Sequence, residues 1–272
     1  MLKQRIITAV FLVLAVLLSL FNASTDSWGT LLLIVAGLSA WEWAGFAKAE
    51  KSERYAFVVV SVLCTWALMS AMNVWIFILL VIAQTYLYLS TVHRYQRTQG
   101  AVGLSSKSSI YLTGLLAIAN FSAALFLMRD EFSPEWLLFA MATIWAIDTG
   151  AYFAGRKFGK TKLAVHVSPG KTWEGVIGGA LLSFVLAVVG ASVGLFPAAI
   201  EGVMATVLLV VALTVIALLS IYGDLFESVL KRQAGLKDSG KILPGHGGIL
   251  DRIDSLVIAM PMLLVVLVLL SA

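Results

Sequence analysis

The chain is short of charge. Asp, Glu, Lys and Arg together make up 12% of its 272 residues, about half of the ~25% typical of soluble domains. So few ionic groups cannot clothe a water-facing surface, which excludes an ordinary soluble fold. Cysteine occurs once, at Cys64, so no internal disulfide and no thiolate cage can form. The three histidines make no His-x-x-x-His pair, which removes the common zinc patterns. No repeat of fixed period is seen. Gly155-Arg156-Lys157-Phe158-Gly159-Lys160-Thr161 is one residue short of a P-loop. It also leaves an apolar helical run rather than a strand, so the Walker reading fails.

What is present is hydrophobic. Apolar side chains make up 60% of the chain, and the mean hydropathy is +0.96. Nine apolar runs, at about 6–22, 28–46, 55–72, 74–91, 109–128, 134–154, 175–195, 202–222 and 255–271, are each long enough to cross a ~30 Å hydrocarbon core as a helix. Alternating segments of ~10 residues, the mark of a barrel, are not seen. The expected fold class is all-α: a polytopic membrane protein of about nine transmembrane helices. The first run has a basic start like a signal peptide, but its apolar stretch exceeds the usual core, and an uncleaved helix is expected.

The charges orient this scheme. With the N-terminus cytoplasmic, eighteen of the 19 Lys and Arg residues fall on one side, and only Arg129 falls outside. That split follows the positive-inside rule. The formal net charge of +4 therefore suits a cytoplasmic face meeting anionic lipid headgroups and gives no argument for a nucleic-acid partner. Two long cytoplasmic loops result, at 155–174 and 223–254. The chain divides accordingly into 1–130, a scaffold of about five spans with lipid or dimer contacts, and 131–272, which carries the loops and the chemistry.

The densest polar window lies at 228–254. Asp224, Ser228 and Lys231 share one helix face at spacings of four and three, with Glu227 one step round. Asp251 and Asp254 are three apart after the His246-Gly247-Gly248 turn. Carboxylates gathered among Lys and Arg suit Mg²⁺ held through a few oxygens plus substrate phosphates. The glycines let backbone N–H groups approach a phosphate at a helix start. Helix capping is the lesser alternative for Asp251 and Asp254, and a lysine partner is that for Asp224. Asp148, near the end of the sixth run, is an intramembrane acid and a functional candidate. His246 either touches a phosphate or only shapes its loop. Glu42, within Trp41-Glu42-Trp43, either faces the site or binds a basic partner. Gly175 and Gly179 form a small-xxx-small pair expected to pack helices.

The segment Ser228-x-x-Lys231-Arg232-x₄-Lys237-Asp238-x-Gly240-x₂-Leu243-Pro244-Gly245-His246-Gly247-Gly248-Ile249-x-Asp251-Arg252-Ile253-Asp254 resembles the signature of the phosphatidate cytidylyltransferases, the CDP-diacylglycerol synthases, of bacterial type. Asp148-Thr149-x-Ala151-Tyr152-x-x-Gly155-Arg156 and Ser168-Pro169-x-Lys171-Thr172-x-Glu174-Gly175 are also similar to that family. The likeness covers most of 140–272; the first 130 residues match only in hydropathy and in Trp41-Glu42-Trp43. It implies transfer of a cytidylyl group from CTP to phosphatidate, giving CDP-diacylglycerol and pyrophosphate. It also implies a homodimer, Mg²⁺, and room for a second, monovalent cation such as K⁺. The metal ligands would be Asp224, Asp251 and Asp254, with Lys231 and Arg252 completing the catalytic set. Asp148, Ser168, Lys171, Thr172, Glu174, Ser228, Arg232, Lys237, His246, Gly247 and Gly248 would bind substrate. A CTP-dependent lipid kinase is the nearest rival, and the completeness of the signature weighs against it. A transporter is disfavoured, because no paired broken spans occur in corresponding halves.

Overall fold

The structure is a computed structural model that describes residues 2–271, with side chains from Thr8 onward. The side chains of Lys3 and Arg5, part of the charge split above, lie outside the described residues. Among the described residues the chain forms nine helices and one short hairpin: α1 Leu2–Asn22, α2 Thr25–Phe46, α3 Lys51–Ser70, α4 Val74–Arg97, α5 Lys107–Glu131, α6 Pro134–Phe158, β1 Lys162–Ala164, β2 Ser168–Thr172, α7 Trp173–Ser192, α8 Gly202–Ala234 and α9 Leu250–Leu270. Eight helices, α2 to α9, are long and apolar enough to cross a membrane; α1 contributes the shorter apolar segment Thr8–Asn22.

Local chemistry sets the helix starts. Ser24, Asn73, Ser106, Ser133 and Thr172 each accept a hydrogen bond from an amide of the first turn of α2, α4, α5, α6 and α7, satisfying donors that the helix leaves orphaned. Gly235, at φ +74°, ends α8 in the left-handed region that glycine enters without strain.

Two expected boundaries move. The eighth run continues as helix to Ala234, so the loop expected from 223 begins only at 235. At 33 residues, α8 is about 50 Å long at 1.5 Å per residue, well beyond a ~30 Å hydrocarbon core. Its polar end thus extends past the lipid as ordered helix. The 155–174 loop is likewise structured: α6 runs to Phe158, and β1 and β2 pair antiparallel, with Lys162 opposite Thr172 and Ala164 opposite Ser168.

The central helix is α5, with 67% of its apolar window buried against 22% for α3. It packs on α2, α3, α4, α6 and α9. The outer helices present apolar residues outward, such as Leu79, Ile82 and Tyr86 on α4 and Ile177, Leu181 and Val188 on α7, at the spacings of a lipid-facing stripe. Gly175 and Gly179 pack helices, as their spacing predicts. A Cβ at Gly179 would strike the Ile147 carbonyl, and one at Gly175 would lie 2.9 Å from the Ala151 carbonyl, so α6 and α7 meet backbone to backbone.

Two buried contacts explain otherwise anomalous residues. Arg129, the one cation outside the charge split, donates to the Leu20 carbonyl at 2.8 Å and to the Ala23 carbonyl, clamping the end of α1 to α5. Pro261 lies inside α9 and lacks the N–H that would bond the Val257 carbonyl. The Gln84 side chain on α4 donates to that carbonyl at 3.0 Å, and Asn120 on α5 donates to Gln84 Oε1 at 2.9 Å. Lipid offers no water to repair such a gap. Gln84→Leu should therefore cost about 1–3 kcal/mol, the usual penalty of an orphaned buried group. In a Pro261→Ala background, where α9 can satisfy its own carbonyl, the cost should fall. Thermal unfolding of the four proteins in detergent checks this; an equal cost in both backgrounds would refute the pairing.

Candidate active site

The polar end of α8 supplies the first side of the site. Phe226 lies two residues from Asp224, about 200° round a helix of 3.6 residues per turn. It is buried and stacks on Tyr88 of α4, with centroids 3.8 Å apart and planes at 10°. That contact fixes the rotation of α8 and turns Asp224, Ser228 and Lys231 to the other side. Ser228 Oγ donates to Asp224 Oδ1 at 3.3 Å. Lys231 Nζ lies 3.3 Å from Glu227 Oε1 and 2.8 Å from Asp251 Oδ1.

Three further elements complete it. A Cβ at Gly223 would strike the Asp254 carbonyl, so only a glycine there lets α8 and α9 approach closely enough to make Asp224 and Asp254 neighbours. Asp254 Oδ1 accepts from the Ser255 amide at 2.8 Å. From β2, Lys171 Nζ reaches Asp224 Oδ2 at 2.6 Å. From α6, Asp148 lies near enough to Lys171 and Asp224 for their charges to act on it. Four elements thus bring Asp148, Lys171, Asp224 and Asp254 together, although they are far apart in sequence.

The hairpin that carries Lys171 is braced from below. Thr172 is buried and caps α7 by accepting from Gly175 N at 3.2 Å. Glu174 accepts from the amides of Lys160 and Thr161 at 3.1 Å each, closing the hairpin onto α7. Ser168 pairs with Ala164 at the hairpin turn. In this geometry Ser168, Thr172 and Glu174 hold the strand, while Lys171 is the residue that reaches the carboxylates.

The 235–249 loop forms a second wall. Gly245 and Gly247 have φ +78° and +82°. They allow the tight turn in which the Leu243 amide donates to the Gly247 carbonyl and the His246 amide to the Leu243 carbonyl, both at 2.9 Å. Arg252 donates to the His246 carbonyl from Nε at 3.1 Å and from a terminal nitrogen at 2.6 Å. Asp251 binds the loop more tightly. Its Oδ2 accepts from the Ser239 amide and hydroxyl, both at 2.9 Å, and from Gly248 N at 2.8 Å, while Lys231 occupies Oδ1. Beside the loop is a cleft of about 620 Å³ with Lys237, Lys241, His246 and Arg252 in its lining. Lys237 and Arg232 are exposed, Arg232 in the last turn of α8. The cleft is rich in cations and suits phosphate groups.

Among the described residues, no group of three or more His, Cys, Asp or Glu side chains converges as a metal cage. The donor set nevertheless fits Mg²⁺, which takes one or two carboxylates and completes its shell with water and substrate phosphates. Asp224 and Asp254 are the pair in question, and Lys171 already places a positive charge between the site's carboxylates. Both Asp251 oxygens are committed to protein donors. Sequence reading did not single out Ser239, which Gly240 follows within the signature, or Ser255. It left Glu227 beside the site without a role, and the structure places it on Lys231.

A bundle of apolar helices with carboxylates and cations collected at its helix ends defines an integral membrane protein built for phosphate chemistry at the lipid–water boundary. The chain belongs to the cytidylyltransferase family, whose model matches residues 3–270. It is 36% identical over 296 residues to a phosphatidate cytidylyltransferase of Haemophilus influenzae, covering 96% of each chain. It is 38% identical over 263 residues to one of Pseudomonas aeruginosa, covering 96% of this chain and 95% of that one. A Bacillus subtilis phosphatidate cytidylyltransferase shares 42% over 145 residues, about half of each chain.

The geometry makes Asp251 the fastening of the 235–249 loop. Hydrogen bonds to a charged acceptor are worth about 1.5–3 kcal/mol each, so Asp251→Asn should speed amide hydrogen exchange at Ser239 and Gly248 by roughly tenfold or more. Exchange within α4 should not change. Unaltered protection at both amides would show that another contact holds the loop.

Proposed function

We propose that this protein transfers the cytidylyl group of CTP to phosphatidate, forming CDP-diacylglycerol and releasing pyrophosphate. The observation that carries this reading is the end-to-end similarity to phosphatidate cytidylyltransferases, joined to a carboxylate–lysine cluster at the membrane helix ends. The new bond joins a phosphate oxygen of the lipid to the α-phosphorus of CTP, and the α–β bridging bond breaks. A phosphate monoester has a second pKa near ~6, so the attacking oxygen is largely ionised at neutral pH and needs no strong base. Two anions must still be brought together while a third leaves. Lys171, Lys231, Arg232, Lys237 and Arg252 supply positive charge to those phosphates. Asp224 and Asp254 would hold Mg²⁺, which neutralises phosphate charge when bound. Asp251 stands beside them and keeps Lys231 and the glycine turn in register. The division of labour follows the chain: residues 131–272 carry these groups, and 1–130 hold them in place.

The same reading puts the N-terminus and the 235–249 loop on the cytoplasmic side of the inner membrane, where CTP is found. Two observations support it: the charge split, and a hydrogen bond of 3.1 Å from Thr8 Oγ1 on α1 to the Pro244 carbonyl, which sets the start of the chain beside that loop.

Purified protein given phosphatidate, Mg²⁺ and CTP labelled at either the α- or the γ-phosphorus tests the reaction. The α-label should enter lipid and the γ-label should leave in pyrophosphate. Asp224→Asn should lower turnover by at least ~100-fold, the scale of losing one electrostatic group at a reacting centre. Appearance of γ-label in lipid, with CDP as by-product, would identify a kinase, and no label in lipid would reject both. For orientation, Lys241→Cys should react with an impermeant maleimide only after cells are opened, and Ala199→Cys should react in intact cells. The reverse pattern would invert the topology.

A further inference from the structure

The signature loop and α9 are gripped from a distant place in the chain. Glu42, on α2, is 3% exposed and points at the start of α9. Its Oε2 accepts from Leu250 N at 3.0 Å and lies 3.2 Å from Ser239 Oγ, whose single proton it shares with Asp251 Oδ2. The N-cap residue of α9, Ile249, offers no side-chain cap of its own. A helix start left this way has orphaned donors, and a carboxylate is the group best suited to them. Glu42 supplies it from another helix.

The loop is shaped to admit that carboxylate. A Cβ on Gly240 would strike Glu42 Oε1, and one on Gly248 would lie 2.5 Å from Glu42 Oε2. Both glycines have φ outside the left-handed region, so space, not backbone freedom, is what demands glycine there. Ser239 then links two acids: its hydroxyl lies 3.2 Å from Glu42 and 2.9 Å from Asp251 Oδ2. A continuous chain of contacts runs from Glu42 through Ser239 and Leu250 to Asp251, Lys231 and Glu227. Asp254 sits one turn further along the helix that Glu42 anchors.

We propose that Glu42 is a positioning residue for the cytidylyl transfer, setting the start of α9 and the 238–248 loop so that Asp251 and Asp254 stand at the site. It acts through Ser239 and the Leu250 amide. The assignment rests on the reaction proposed above. A displacement of about 1 Å at a reacting centre can cost on the order of 100-fold in rate, so the effect belongs in kcat. One acceptor oxygen at the right depth is what the role requires, since Oε2 takes both contacts and the buried Oε1 has no hydrogen-bond partner, and a glutamine side chain retains such an oxygen.

The test compares Glu42→Ala, Glu42→Gln and Ser239→Ala with the wild type. Steady-state kinetics with CTP and phosphatidate and amide hydrogen exchange at Ser239 and Leu250 are the readouts. Glu42→Ala should lower kcat by roughly 30-fold or more with the KM for CTP within about threefold, and should speed exchange at both amides. Glu42→Gln should keep at least about a third of kcat and near-normal protection. Wild-type kcat in Glu42→Ala, a loss confined to the KM for CTP, or equal defects in the alanine and glutamine variants would each overturn the proposal. Should Glu42→Ala not accumulate in membranes, Ser239→Ala decides, since it deletes only a hydroxyl: unchanged kcat there overturns the linkage. An inactive wild type would instead reject the reaction, and the exchange data would still show whether Glu42 holds α9.

Discussion

A carboxylate with four donors on two oxygens is the contact on which the rest of the site depends. Asp251 takes an ammonium on one oxygen and two amides and a hydroxyl on the other. In water such a cluster would gain little, because solvent serves each group nearly as well. Beside a bilayer the comparison changes: an unpaired polar group there loses its hydration and finds no substitute. The loop therefore closes on Asp251, Lys231 is drawn between Asp251 and Glu227, and the carboxylates of α8 and α9 face one another. The same fastening that stabilises the loop aligns groups of opposite charge around a space fit for phosphates.

The body of the protein obeys the same constraint by other means. Pro261 removes one donor from α9, and Gln84 and Asn120 restore the balance from two neighbouring helices. Arg129 spends its guanidinium on the carbonyls that end α1. Glycines bring α6 and α7, and α8 and α9, into backbone contact where larger residues would hold them apart. The Gln84 contact joins α4 to α9, so the N-terminal half is in direct contact with the half that carries the signature.

Much of this was legible in the sequence, and the gaps have physical causes. Long apolar runs announced the helices, because crossing a bilayer demands them. Asp224, Ser228 and Lys231 were readable as one face, since helical spacing is local information. The end of α8 was misplaced: the hydropathy falls after Tyr222, but a helix needs hydrogen bonds, not apolarity, and it runs on to Ala234. The hairpin at 162–172 escaped notice because strands of three and five residues carry no alternation to read. The partners of Glu42 lie about 200 residues away, beyond any spacing rule. All that the sequence could show was an acid in an apolar helix with two readings open. Asp251 was weighed as metal ligand and as helix cap, and its neighbours show how fully its oxygens serve the loop.

The continuity of α8 has a consequence for the substrate. One unbroken rod runs from its lipid-facing residues at Val203 and Val207 to the polar face at Asp224 and Lys231. The rise per residue thus works as a ruler, holding those polar groups at a fixed height above the hydrocarbon. A lipid headgroup sits at that height already. Its acyl tails can stay dissolved among their neighbours while the phosphate reaches that polar face.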